Sequence, residues 1–142
     1  MTAPFMQPAQ HKKSNTPQER QLTVVLPFFN EEKYIARTLE SIIAQEHQPD
    51  EIILVNNGST DRSVEICRAF KDKHKNILIC VLHDPRPGKT NALETGLRAV
   101  NSSYVAFADA DTYYPPHYFK LAMRLLTQSD GDLVGTIGIG IQ

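Results

Sequence analysis

Two aspartates, Asp109 and Asp111, are separated by one residue and directly follow the mostly apolar residues 103–108. Like charges this close oppose one another's ionisation unless a cation, a proton or solvent compensates. Carboxylate oxygens are hard ligands, and an ion of the magnesium class bound to one or two of them still accepts phosphate oxygens. The spacing therefore predicts a divalent metal site. A solvated acidic turn before a helix is the other interpretation, because aspartate is common in turns.

Three further apolar runs end in residues that could bind a ligand. Residues 27–32 follow the first run, residues 56–61 follow the second, and residues 83–89 follow the third. They include carboxylates, amides, hydroxyls and two basic side chains. If the runs are parallel strands, these polar segments meet the acidic pair at one edge of a sheet.

The elements that must position these segments alternate between strand and helix. Short apolar runs predict strands at residues 22–26, 51–55, 76–82, 103–108 and 132–137, with Pro27 ending the first. Apolar residues at helical spacing predict helices at about 30–45, capped by Asn30, after residue 61, at about 90–100, and after Pro115 or Pro116. The alternation predicts an α/β fold with a mostly parallel sheet and helices on both faces.

The composition is that of a globular domain. The 142 residues are 41% hydrophobic and 22% charged, with a net charge of -1, which gives no basic excess for nucleic acid. Cys67 and Cys80 lack the spacing of a zinc or redox site and are expected to be buried thiols, as in a reducing cytosol.

The ends of the chain and its hydropathy give three further expectations. Residues 1–20 carry three prolines and no signal-peptide core, so we expect a disordered leader before a domain at residues 21–142. No run approaches the roughly 18 apolar residues that a membrane span needs. A cytoplasmic protein is expected, and any membrane contact would be peripheral.

Four segments together resemble the successive motifs of family 2 glycosyltransferases of the GT-A fold. They are residues 24–32 (VVLPFFNEE), 53–61 (ILVNNGSTD), 88–96 (GKTNALETG) and 107–112 (FADADT). The similarity covers residues 22 to about 137 in the family's order. It implies a Rossmann-like nucleotide-binding half, a nucleotide-diphosphate sugar as donor, with a UDP-sugar expected, Mg²⁺ or Mn²⁺, and inverting transfer.

The resemblance also implies roles for particular residues. Asp111 would be the direct metal ligand, while Asp109 would contact the ribose or the metal through water. The backbone around Pro27 would line the base pocket, and Asn56 and Asn57 stand where the family usually has one or two aspartates that read the base. Arg86 or Lys89 would direct a charge at phosphate or base. The donor-binding set is Pro27, Phe28, Asn30, Glu31, Asn56, Asn57, Ser59, Arg86, Lys89, Asp109 and Ala110, and the metal set is Asp109 and Asp111.

Other interpretations stay open at this point. Gly88, Lys89 and Thr90 resemble the end of an ATP-binding phosphate loop, but His83 stands where the first glycine belongs, and Pro85 and Pro87 lack N–H donors. The resemblance places the catalytic base in an acceptor half beyond these motifs. No candidate for it is found, so the chain is expected to be truncated before that half, which a partner chain could supply. A non-catalytic binding module and an inactive remnant are the alternatives.

Overall fold

Strands and helices alternate along residues 21–128, the part of the chain that this computed structural model describes. The strands are β1 (Leu22–Phe28), β2 (Glu51–Asn56), β3 (Leu78–His83) and β4 (Tyr104–Phe107). The helices are α1 (Ile35–Ile43), α2 (Ser63–Lys73), α3 (Lys89–Arg98) and α4 (Tyr118–Gln128). The predicted α/β alternation is confirmed. The predicted leader and fifth strand lie outside the described residues.

The strands form one parallel sheet in the order β3-β2-β1-β4. In the central pair, Val25 is in register with Ile53 and Pro27 with Val55. Every residue of β1 and β2 is buried, as expected of strands covered on both faces. Because all four strands are parallel, their carboxyl ends share one edge.

Helices cover both faces of the sheet, as predicted. On one face, Leu26 and Leu54 belong to a cluster with α1, α2 and α4, which contribute Leu39, Phe70 and Phe119 among others. On the other face, Val25, Ile53 and Val55 pack with Ala92 of α3. Alternate strand residues thus serve opposite cores, which follows from the two-residue period of a strand.

Pro27 lies inside β1, so the prediction that it ends the strand is wrong. The Phe28 carbonyl accepts from Asn57 N on the β2 side, whereas the Val25 carbonyl accepts from Ala108 N on the β4 side. The backbone groups of successive strand residues point to opposite neighbouring strands, so the ring nitrogen of Pro27 faces the β4 side. There β4 has already ended at Phe107, and no ladder hydrogen bond is lost.

Asn30 does not cap the first helix, which begins at Ile35 and ends at Ile43. Its φ of 50° is left-handed, and its side chain turns to the loop after β2, accepting from Thr60 N at 2.7 Å. The other predicted boundaries differ from the observed ones by one or two residues. No helix within residues 21–128 combines the length and apolar character needed to cross a membrane.

Candidate functional site

The four polar segments meet in an open cleft of about 600 Å³ at the carboxyl edge of the sheet. Each strand is followed by residues that line it. The full lining is Pro27, Phe28, Phe29, Glu31, Asn57, Pro87, Gly88, Lys89, Asp109, Ala110 and Asp111. The parallel sheet thus brings together groups that lie up to 84 residues apart in the sequence.

Two polar side chains of α1, and a third just after its end, hold the acidic loop in place. Thr38 Oγ1 donates to the Ala110 carbonyl at 2.8 Å, and Ser41 Oγ accepts from Tyr114 N at 3.1 Å. Gln45 Nε2 donates to the Tyr114 carbonyl at 3.1 Å. All three side chains are buried; Thr38 and Ser41 lie on one face of α1, and Gln45 follows two residues after its end. Buried backbone groups need such partners, so these side chains fix the segment that carries the aspartates.

Tyr114 positions Asp109 from within the loop itself. Its hydroxyl oxygen accepts from the Asp109 backbone N–H at 2.8 Å. Burial raises the pKa of Tyr114 to about 12, so the hydroxyl is neutral at physiological pH. The Asp109 main chain is therefore held on the protein side, and its carboxylate can face the cleft.

The charges that line the cleft are mainly negative. Asp109 and Asp111 are exposed, and the Lys89 ammonium contacts Asp109 Oδ1. Burial raises the pKa of the Glu31 carboxyl, and the charges of Asp111 and Asp61 raise it further. The cleft thus concentrates negative charge that only one lysine of its lining offsets.

The acidic pair fits a hard divalent ion. Residues 21–128 contain no group of three or more histidines, cysteines or carboxylates able to hold a metal by themselves. A pair of carboxylates suits an ion that takes its remaining ligands from phosphate and water, as Mg²⁺ commonly does. The donor set is all oxygen, and a bound cation would offset the repulsion between Asp109 and Asp111.

Asn57 lines the cleft, yet its side chain holds the loop after β3. Asn57 Nδ2 donates to the carbonyls of Asp84 at 3.1 Å and Arg86 at 2.7 Å. Asn57 Oδ1 accepts from Gly88 N at 3.0 Å. Both amide hydrogens are used inside the protein. In this arrangement the side chain expected to read the base therefore has no hydrogen left to donate to it.

Arg86 lies in an ion-pair network and is absent from the cleft lining. Its Nη2 donates to Asp84 Oδ2 at 2.7 Å, and its Nη1 donates to Glu94 Oε1 at 3.2 Å. Hydrogen bonds from Arg86 and Thr95 hold the pKa of the Asp84 carboxyl well below its usual range. The guanidinium thus joins the loop after β3 to α3.

Three more predicted donor-binding residues connect the first two loops to each other. Asn30 N donates to Ser59 Oγ at 2.9 Å, and Asn30 Oδ1 accepts from Thr60 N at 2.7 Å. Ser59 N in turn donates to Asn56 Oδ1 at 2.9 Å. Asn30, Asn56 and Ser59 are not among the lining residues. They shape the cleft by bracing the loops behind it.

The fold and the cleft agree with a match to a known family. The family model for glycosyl transferase family 2 matches residues 23–141 of the chain. The chain belongs to this family. The resemblance inferred from the four motifs is thereby confirmed.

Individual family members are similar over most of the chain. Glycosyltransferase GlyA of Streptococcus pneumoniae is 34% identical over 112 residues, which are 79% of this chain and 16% of GlyA. The mannosyltransferase PcManGT from Pyrobaculum calidifontis, solved with GDP-Man and Mn²⁺, has a TM-score of 0.69 and 28% identity, covering 80% of this chain and 34% of its own. TarS of S. aureus, solved with UDP, has a TM-score of 0.66 and 25% identity. The match covers 86% of this chain and 38% of the TarS chain. The chain spans less than two fifths of each of these proteins. The structural similarity to PcManGT and TarS confirms the predicted GT-A-type fold.

Three residues that line the cleft of this glycosyltransferase domain, Phe29, Pro87 and Gly88, are in neither the predicted donor-binding set nor the predicted metal set. Phe29 is 55% exposed. A large aromatic side chain near the end of a predicted strand was the sequence signal that could have indicated its place in the cleft. For Pro87 and Gly88 the available signal was their position directly before Lys89, a predicted donor-binding residue. The backbone N–H groups of Asp84, Arg86 and Gly88 all donate within the protein, and Pro85 and Pro87 have none, so residues 84–88 lack the free N–H groups of an ATP-binding phosphate loop.

Proposed function

We propose that the cleft binds a nucleotide-diphosphate sugar, and that the protein transfers the sugar to an acceptor hydroxyl with inversion. The observation that carries this proposal is the meeting of four loops around the exposed pair Asp109 and Asp111 in one cleft. Family membership supports it. PcManGT was solved with GDP-Man and Mn²⁺, and TarS with UDP, so a diphosphate nucleotide is the shared ligand class.

The lining residues divide into two sides in this proposal. Pro27 and Phe28 are assigned to the base, and Glu31 to the ribose hydroxyls. Lys89 is assigned to the diphosphate, because an ammonium binds phosphate as a point charge. All four of these residues line the cleft. Since the amide hydrogens of Asn57 are taken, base recognition is assigned to the rest of the lining.

Asp109 and Asp111 would hold Mg²⁺ or Mn²⁺. When bound, such an ion stabilises the negative charge on the departing diphosphate. The loop that carries both aspartates is fixed by Thr38, Ser41 and Tyr114. That bracing would keep the two carboxylates in place for the ion. We assign no general base among residues 21–128.

The test is calorimetric titration of the full chain with UDP, GDP, TDP and ATP, each with and without MnCl₂. We expect one diphosphate nucleotide to bind in a manganese-dependent way. Asp111→Asn should weaken that binding at least about tenfold, equivalent to about 1.4 kcal/mol. Asp72→Asn is the matched control, because Asp72 is an exposed carboxylate on α2 that pairs with Lys75.

Two results would contradict the proposal. One is binding of ATP alone, and the other is no nucleotide binding by a chain that circular dichroism shows to be folded. Equal losses in Asp111→Asn and Asp72→Asn would also remove the metal assignment. Transfer is tested separately, by following release of the nucleotide diphosphate from UDP-sugars in the presence of candidate acceptors.

A further inference from the structure

Lys89 and Asp109 form an ion pair across the cleft. The ammonium contacts Asp109 Oδ1, and the two side chains are 61% and 54% exposed. Lys89 is the first residue of α3, whereas Asp109 lies in the loop after β4. Both line the cleft. The pair therefore joins the proposed phosphate side of the cleft directly to the proposed metal side.

Local stability does not account for a lysine at this position. The amino end of a helix carries partial positive charge, which disfavours a cation there. An exposed ion pair contributes little to the free energy of unfolding. On α2 the chain places Lys71 and Lys73 in the last turn, where the helix dipole favours them. Lys89 instead lies at the amino end of its helix, so we look for the role of this lysine in the cleft.

The geometry leaves the ammonium free to move while its backbone stays fixed. Gly88, just before Lys89, is tied by its N–H to Asn57 Oδ1, and its φ of 111° sets the turn into the helix. The lysine side chain beyond this anchor is flexible, with three donors at its end. It can therefore exchange Asp109 for another nearby anion without any change in the fold.

We propose that Lys89 is a movable counter-ion, which holds Asp109 before ligands bind, competes there with the divalent metal, and moves to the diphosphate when nucleotide binds. The inference rests on the proposed function and adds a binding mechanism to it. An ammonium and a metal ion at the same carboxylate repel each other. A diphosphate offers Lys89 a stronger anionic partner and so releases Asp109 to the metal.

The consequence is that metal and nucleotide strengthen each other's binding. If the diphosphate removes Lys89 from Asp109, it raises the affinity of the site for the metal. By thermodynamic linkage, the metal raises the affinity for the diphosphate by the same factor. Asp111 and Glu31 remain as the other negative charges of the cleft, so loss of the ammonium from Asp109 leaves a strongly cation-attracting site.

The first test measures Mn²⁺ binding without nucleotide, from the electron paramagnetic resonance signal of free Mn²⁺. Lys89→Gln should bind Mn²⁺ about five- to tenfold more tightly than wild type, at the low end of measured couplings between sites. Lys89→Arg keeps the charge and should stay near wild type. Lys120→Gln is the control, because Lys120 also pairs with an exposed carboxylate, Glu46, at 3.2 Å, but not in the cleft.

The second test repeats the Mn²⁺ titration with UDP or GDP, whichever the wild type binds. The nucleotide should tighten Mn²⁺ binding by a larger factor in wild type than in Lys89→Gln. In an Asp109→Asn background, Lys89→Gln should add nothing to Mn²⁺ affinity, because a double-mutant cycle isolates the direct interaction. Circular dichroism checks that each variant is folded.

The counter-ion proposal is overturned if Lys89→Gln binds Mn²⁺ no more tightly than wild type, or if Lys120→Gln tightens it equally. Failure of the proposed function would give a different result from failure of the counter-ion proposal. In that case wild type binds no diphosphate nucleotide at all, and the movement of Lys89 to a diphosphate is wrong as well. Nucleotide binding with unchanged Mn²⁺ affinity in Lys89→Gln rejects the counter-ion alone.

Discussion

At the scale of single residues, Asn57 and Asp84 hold the loop after β3 by different chemistry. Asn57 uses an amide that donates to two carbonyls and accepts from one N–H. Asp84 uses a carboxylate that accepts from Arg86 and Thr95. A carboxylate at position 57 could not donate to the two carbonyls, and an amide at position 84 would carry no charge to pair with Arg86.

Replacing Asn57 by aspartate should therefore loosen this loop. In Asn57→Asp the carbonyls of Asp84 and Arg86 lose their donor and face a carboxylate instead. We expect the free energy of unfolding to fall by about 0.5–1.5 kcal/mol, the net contribution of a typical hydrogen bond, because the lost bonds are part-buried and exposed. Urea denaturation measures it, with Asn101→Asp at an exposed position as the control. Equal stability of the two variants would show that the tether is not needed.

Asp84 should make a pH-dependent contribution to stability. Its carboxyl is 3% exposed, and hydrogen bonds from Arg86 and Thr95 lower its pKa in the folded state. A lowered folded-state pKa means that the stabilisation is complete above the ordinary aspartate pKa of about 4. It is lost as the pH falls through the lower, folded-state value.

The measurement compares wild type with Asp84→Asn by urea denaturation from pH 6 down to pH 2. The difference between their free energies of unfolding should be largest above about pH 4 and shrink below it. Asp72→Asn, on the exposed surface of α2, should show a smaller dependence. A difference between wild type and Asp84→Asn that stays constant over this range would contradict the assigned ionic role.

At the scale of elements, the helices act through residues that face the sheet or the loops. The buried polar side chains of Thr38 and Ser41 in α1, and of Gln45 just after it, hold the acidic loop. α3 approaches the sheet through Gly96, where an added Cβ would overlap Val25 Cγ1 and lie 3.2 Å from Val55 Cγ2. The first feature orients the aspartates, and the second sets how closely the helix that carries Lys89 approaches the sheet.

Gly96→Ala should destabilise the domain although alanine favours helices. The gain in helix propensity is about 1 kcal/mol, but overpacking against fully buried valines costs about 1–3 kcal/mol. We expect a net fall in the free energy of unfolding, measured in urea. Thr90→Ala, at an exposed position of the same helix, should be neutral or stabilising. A Gly96→Ala variant more stable than wild type would show that α3 can move away from the sheet.

At the scale of the whole molecule, strand order decides where the site forms. β1 lies between β2 and β4, so the loops after these strands are neighbours. The β3 loop is carried in over β2 by the Asn57 tether. Since the cleft draws residues from all four loops, ligand binding should be linked to the stability of the complete fold.

Nucleotide and metal together should therefore raise the melting temperature. A ligand at 100 times its dissociation constant adds about 2.7 kcal/mol to the free energy of unfolding, provided that it binds only the folded chain. We expect a clear rise for wild type and for Asp72→Asn, and little or none for Asp111→Asn. Differential scanning calorimetry measures it. An equal rise in Asp111→Asn would place the ligand outside the acidic pair.

The sequence by itself determined the order of strands and helices, the edge at which the loops meet, and the family. These depend on local apolar periodicity and on motifs of contiguous residues, such as the one containing Asp109 and Asp111.

Only the tertiary structure decided which residues face the cleft. Asn30, Asn56, Ser59 and Arg86 brace the loops, whereas Phe29, Pro87 and Gly88 line the cleft. Likewise, Pro27 fits inside β1 because β4 ends before reaching it. The physical reason is that the partners deciding such roles come from distant loops: Asn57 and Arg86 are 29 residues apart, and no local pattern encodes their hydrogen bond.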